Sequence, residues 1–141
     1  MLIPSSDGAS SAVMFTSDRA FRVWRYGVGH SQLLLRAVPD SVNTTCLDVR
    51  FEGVSAMQLV QQYKSIELCS ASETEAEEIL DFSGIGPSGR ELHLPVVLRS
   101  RSGSGFVLCR SVTAERGGED PVGSEAEDEE RTVIWSSRPR A

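Results

Sequence analysis

In the stretch TCLDVRFEGV (residues 45–54), Leu47, Val49 and Phe51 alternate with Asp48, Arg50 and Glu52. A period of two puts one residue set on each face of an extended chain, an arrangement a helix cannot reproduce. A strand with one apolar face needs a second layer to cover it. Shorter runs of the same character recur: AVMFT at 12–16, Ala20 to Tyr26, Gln32 to Val38, Leu92 to Leu98, FVLCRSVTA at 106–114, and RTVIWSS at 131–137. VSAMQLVQQY at 54–63 fits strand or helix. It is read as extended because the following KSIELCS alternates again at Ile66 and Leu68.

One helix is signalled, near 73–82. Ser72 stands three residues before Glu75, the capping-box spacing, and acids crowd the first turns where the helix dipole favours them. Ala76, Ile79 and Leu80 form its narrow apolar face, and Gly84 and Gly86-Pro87 stop it. Strands and helices never alternate along the chain. The expected class is therefore mainly β (a β-rich α+β fold): an antiparallel sheet, sandwich or partly open barrel of about seven to nine short strands with one covering helix. Pro95 cannot donate a ladder bond, which predicts an edge position for its strand. Gly27 and Gly29 are expected to supply the positive φ of the turn between the second and third strands. Residues 1–141 read as one domain with a loose lead-in at 1–11 and an acidic exposed loop or disordered insert at 115–130.

The net charge of −6 is concentrated in that insert. Residues 115–130 hold eight acids and one arginine, while the rest of the chain holds twelve acids and thirteen basic residues. With no basic run or stripe, nucleic acid is not an expected partner. No stretch approaches 18 apolar residues, so no membrane partner is expected, and the first 15 residues lack the basic and apolar regions of a signal peptide. These features point to a cytoplasmic protein. Cys46, Cys69 and Cys109 are odd in number, widely spaced and set among β-prone apolar neighbours, which reads as buried thiols rather than a disulfide framework. Two histidines 63 residues apart and scattered cysteines make no metal-ligand pattern, and no cofactor motif is present.

The densest segment is FRVWRYGVGHSQLLLR, residues 21–36. Strand alternation places Arg22, Trp24, Tyr26 and Val28 on one face, with Phe21, Val23 and Arg25 on the other. Trp24 and Tyr26 read either as packing residues or as the platform of a ligand groove, with His30 as a polar reader at its end. His30 and Ser31 are sequence neighbours whose side chains diverge in a strand, so they form no dyad. GVGHSQ lacks both the spacing and the following helix of a phosphate loop. His93 reads as a half-buried or surface residue, and no catalytic constellation emerges, which argues against an enzyme.

The pattern F-x-x-W-x-Y-x-x-x-H-x-x-L-L-L-R, carried here by Phe21, Trp24, Tyr26, His30, Leu33, Leu34, Leu35 and Arg36, resembles the N-terminal block of a family of short uncharacterised bacterial proteins. Asp48, Phe51, Met57 and Leu59 are similar to positions that follow the block in that family, as are Trp135, Ser136 and Arg138 to its ending. The resemblance implies a stand-alone cytoplasmic domain and carries no activity. The candidate binding residues are thus Trp24, Tyr26, His30 and Arg36, with no catalytic or metal-binding residue. The leading expectation is a non-enzymatic binding domain acting through protein contacts, for instance an inhibitor or immunity-type partner presenting its acids to a basic protein. A small-molecule binder or enzyme using Trp24, Tyr26 and His30 is the alternative. The chain is expected as a monomer or as a homodimer paired through the Pro95 strand or the C-terminal strand.

Overall fold

The computed structural model describes residues 12–117 and 131–139. The lead-in 1–11 and, apart from residues 115–117, the acidic segment up to 130 lie outside the described residues. The strands are β1 (Ala12–Ser17), β2 (Phe21–Gly27), β3 (Gln32–Ala37), β4 (Leu47–Glu52), β5 (Ala56–Gln58), β6 (Gln62–Tyr63), β7 (Ile66–Ser70), β8 (Leu94–Ser100), β9 (Gly103–Cys109), β10 (Ser111–Arg116) and β11 (Thr132–Ser137). Nine of them have five residues or more. The other two, β5 and β6, are the pieces into which the ambiguous stretch 54–63 divides. Two helices, α1 (Glu73–Ser83) and the single turn α2 (Pro87–Arg90), separate β7 from β8.

All pairings are antiparallel and make two open sheets, β1-β7-β8-β9-β5 and β11-β10-β4-β3-β2-β6. Among the described residues both end in edge strands and neither closes on itself, so the molecule is a sandwich and not a barrel. Leu33, Leu35, Val49, Phe51 and Val112 of the six-stranded sheet meet Leu68, Val96, Leu98, Val107 and Cys109 of the five-stranded one in the core. On the other side of the five-stranded sheet, Cys69, Val97, Phe106 and Leu108 pack against Ile79 of α1. Burial on both faces explains why VVL and FVLC read as continuous apolar runs.

Helix α1 starts with the predicted capping box. Ser72 Oγ accepts the Glu75 N–H at 3.1 Å, and Glu75 Oε1 accepts the Ser72 N–H at 2.9 Å. The second oxygen of Glu75, a buried side chain, takes Arg99 Nη2 of β8 at 3.0 Å. One acid therefore caps the helix and fastens it to the sheet. Gly84, at φ +74°, supplies the left-handed residue that ends it.

Three expectations are corrected. FVLCRSVTA is not one strand: β9 ends at Cys109 and β10 begins at Ser111 in the other sheet, with the Arg110 N–H on the Glu52 carbonyl at 2.8 Å. The core between the sheets carries the trace of this crossing, since its residues switch from odd (Val107, Cys109) to even (Val112) positions. Nor is β8 an edge strand; it lies between β7 and β9. Its pairing with β7 stops at Ser70↔Val96, so Pro95 sits beyond the ladder that its missing N–H would have weakened. A dimer paired through the Pro95 strand is therefore closed off, whereas β11 does lie at an edge. Finally, Ser31, not Gly27 or Gly29, takes the left-handed conformation of the β2–β3 connection, at φ 49°. The intervening residues close a 3-10 turn and relieve the glycines of that task.

Candidate functional site

The site begins with an irregularity in β2. Arg22 pairs with Arg36 and Val23 with Leu35, but Arg25 pairs with Leu34 and Tyr26 with Leu33. Trp24 is the extra residue of a bulge, and the bulge shifts the strand's alternation by one. Trp24 and Tyr26 consequently do not share a face. Trp24 lies over the Arg36 guanidinium, whose Cζ is 5.2 Å from the ring centroid, while Tyr26 stands opposite the core residue Leu33. His30 is exposed in the 3-10 turn and Val28 is exposed beside it. Of the four candidate residues, the structure brings together Trp24 and Arg36 and leaves Tyr26 and His30 outside the site.

Arg36 is fully buried although it points away from the core of the sandwich. Its Nε and Nη2 hold Asp48 Oδ1 and Oδ2 at 2.8 and 3.0 Å, and neither side chain is exposed. Arg131 adds a third bond, Nη1 to Asp48 Oδ2 at 2.7 Å, and stands 3.7 Å from Glu115. Glu115 also accepts from Arg50 Nε at 3.3 Å. Strand register aligns this cluster: Arg22, Arg36, Asp48 and Glu115 are consecutive cross-strand partners over β2, β3, β4 and β10. The charged face of LDVRFE, expected from its alternation, is thus exposed at Glu52 but carries an ion-pair row that is buried at Asp48 and half-buried at Arg50. Gly117 closes over it, so near that a Cβ there would lie 3.8 Å from Asp48 Oδ2.

At the arginine end of this row lies an open cleft of about 490 Å³ between β2, β6 and the chain after β3. Phe21 and Tyr63, both buried, line its base with Trp24 and Val38, and Arg22, Arg36 and Lys64 bring positive charge. The walls are held from behind. Val23 N–H binds the Gln61 carbonyl at 2.9 Å, and Tyr63 pairs with Phe21. The Tyr63 hydroxyl accepts the Val60 N–H at 3.1 Å, and burial pushes its pKa up. Arg19 Nη2 donates to the Val38 and Thr45 carbonyls at 2.9 and 2.8 Å, which fixes Val38. Among the described residues no carboxylate lines the cleft and none forms an ion pair with Arg22 or Lys64. Arg22 and Arg36 stand directly opposite each other, a like-charge pair that is unfavourable across two strands.

A smaller hollow of about 360 Å³ beside β1 and β7 mixes Asp18 and Glu67 with Arg99 and Arg101, and so carries no dominant charge. Among the described residues there is no group of three or more His, Cys, Asp or Glu that could hold a metal ion. None of their helices is long and apolar enough to cross a membrane.

Sequence reasoning found Trp24 and Arg36 but missed Arg22 and Lys64 as site residues, and Asp48 as the group that anchors Arg36. The readable signal was an arginine in one apolar strand (LLLRA) followed by an aspartate on the polar face of the next (LDVRF). Comparison with known proteins finds no matching family model, no matching curated protein and no matching solved structure.

Proposed function

We propose that this protein is a binding domain for a small amphipathic anion, an aromatic carboxylate or aryl phosphate, taken into the Trp24–Arg36 cleft. The observation that carries the reading is the pairing of an apolar base with Arg22 and Lys64, which form no ion pair among the described residues. Ligand pockets of about 300–1,000 Å³ usually join a largely apolar lining to a few placed polar groups. An anion between Arg22 and Lys64 would offset the Arg22–Arg36 repulsion, and its ring would fill space beside Trp24. Arg36 contributes mainly through position: the buried Asp48 holds its guanidinium still and presents the Trp24 face to the ligand.

The test uses phenyl phosphate and benzoate as probes, with benzyl alcohol as the neutral control, in the Trp135→Phe background so that fluorescence reports Trp24. Both anions should quench Trp24 saturably and the alcohol should not. Arg22→Ala and Lys64→Ala should each weaken binding roughly tenfold, the magnitude of one lost charge-assisted contact. Absence of saturable quenching by either anion, or affinities unchanged in both variants, would overturn the reading.

A further inference from the structure

The sequence separates its two histidines from any partner, but the fold brings one of them to a serine. Ser55 precedes β5 and His93 follows α2, 38 residues apart, and Ser55 Oγ lies 2.8 Å from His93 Nε2. On the far side of the ring, Nδ1 lies 2.7 Å from the Gly89 carbonyl oxygen. That oxygen has no proton to give, so the proton of the hydrogen bond is on Nδ1. In the neutral ring, Nε2 then carries a lone pair, and the Ser55 hydroxyl is the donor to it. A hydroxyl donating to an imidazole whose other nitrogen is fixed by a third group is the general arrangement of an activated nucleophile.

Both partners stand on fixed backbone. Ser55 N–H binds the Leu108 carbonyl at 2.8 Å, and the neighbouring Val54 N–H binds the Ser31 carbonyl at 3.0 Å. His93 N–H reaches the Arg90 carbonyl at 3.3 Å, and Leu92 N–H reaches the Gly89 carbonyl at 3.1 Å. The geometry is therefore held before any reagent arrives. Ser55 is exposed and His93 half-buried, so the hydroxyl is open to solution while the ring is supported from behind.

We propose that Ser55 is a reactive nucleophile with His93 as its general base, able to take the acyl or phosphoryl group of a small activated ester. With diisopropyl fluorophosphate the step balances simply. Ser55 Oγ forms a bond to phosphorus, the P–F bond breaks, fluoride leaves, and the hydroxyl proton passes to His93 Nε2. With an acyl ester, Oγ attacks the carbonyl carbon and the same proton is delivered to the departing alkoxide. This site does not depend on the anion cleft.

The experiment treats the full chain with diisopropyl fluorophosphate and follows Ser55 modification by peptide mass mapping. Ser55 should be modified in the folded protein and not in guanidinium, where the fold that joins the two residues is lost. His93→Gly should slow modification roughly a hundredfold, the lower range for loss of a general base, and added imidazole should restore part of it. His30→Ala, which alters the histidine beside Ser31, should react like the wild type. Circular dichroism of His93→Gly separates loss of the base from loss of the fold. The proposal is overturned if folded wild-type protein modifies Ser55 no faster than the unfolded chain, or if a folded His93→Gly reacts at the wild-type rate.

Discussion

Replacing Asp48 by Asn should be among the most costly single changes in this molecule. Its carboxylate is fully buried and receives three charge-assisted bonds, two from Arg36 and one from Arg131. The amide that replaces it carries no charge and offers one oxygen where there were two, so an N–H₂ group faces guanidinium donors. Breaking a buried pair by removing one partner costs about 3–5 kcal/mol, because the other charge stays buried without compensation. With a urea m-value of about 2 kcal/mol/M, the unfolding midpoint should fall by roughly 1.5–2.5 M. Arg36→Met should fall by a similar amount. The double variant Arg36→Met/Asp48→Leu removes both buried charges, and its midpoint should return to within roughly 1 M of wild type. Recovery is incomplete because Arg131 also loses its bond to Asp48. The exposed pair Arg90–Asp81 is the internal control, and Asp81→Asn should cost no more than about 1 kcal/mol. If Asp48→Asn also costs less than about 1 kcal/mol, or the double variant loses the sum of the singles, the argument that burial sets the cost is wrong.

Two other outcomes follow from groups buried elsewhere. Burial pushes Cys109 up to about 12 and raises Cys69 and Tyr63 as well. A folded-state pKa above the unfolded value means that the unfolded chain releases its proton first. The stabilisation is therefore complete below the unfolded thiol value of about 8.5 and is lost as pH rises beyond it. Urea midpoints should fall steadily from about pH 9 upward, and the three buried cysteines should react with a disulfide reagent at pH 8 only after denaturation; a flat alkaline profile would contradict the assignment. At Gly105 an added Cβ would stand 2.4 Å from the Gln58 carbonyl oxygen and 2.7 Å from the Tyr63 hydroxyl. Gly105→Ala should therefore cost about 2 kcal/mol or more and lower the melting temperature by roughly 6–10 °C. Gly29→Ala, with open space around it, should melt near the wild type, and equal melting of the two variants would refute the steric account.

Local pattern decides local structure here. The alternation of Leu47, Val49 and Phe51 was enough to assign a strand and its buried face, because side-chain direction repeats every two residues whatever the partner. The Ser72–Glu75 box was enough to start a helix, since both bonds close within three residues. Absence of strand–helix alternation was enough to require antiparallel sheets. Which sheet a strand enters depended on contacts remote in sequence. Residues 106–114 divide at Arg110 because the Glu52 carbonyl, 58 residues earlier, takes its N–H. Pro95 lies in an interior strand because β7 happens to end before reaching it.

The same division holds at the candidate sites. The sequence singled out the segment 21–36 and named Trp24 and Arg36, yet one bulge residue separated Trp24 from Tyr26, and no local rule locates a bulge that the pairing of β2 with β3 creates. Asp48 looked like one more residue of a polar strand face until the register set it between Arg36 and Glu115. Ser55 and His93 have no motif between them; sheet packing alone brings them to 2.8 Å. The chain thus determines by itself where most strands and helix α1 form, because those preferences act over a few residues. Charge partners, the cleft and the serine–histidine contact belong to the tertiary structure, because each joins atoms whose distance is set only when the two sheets close.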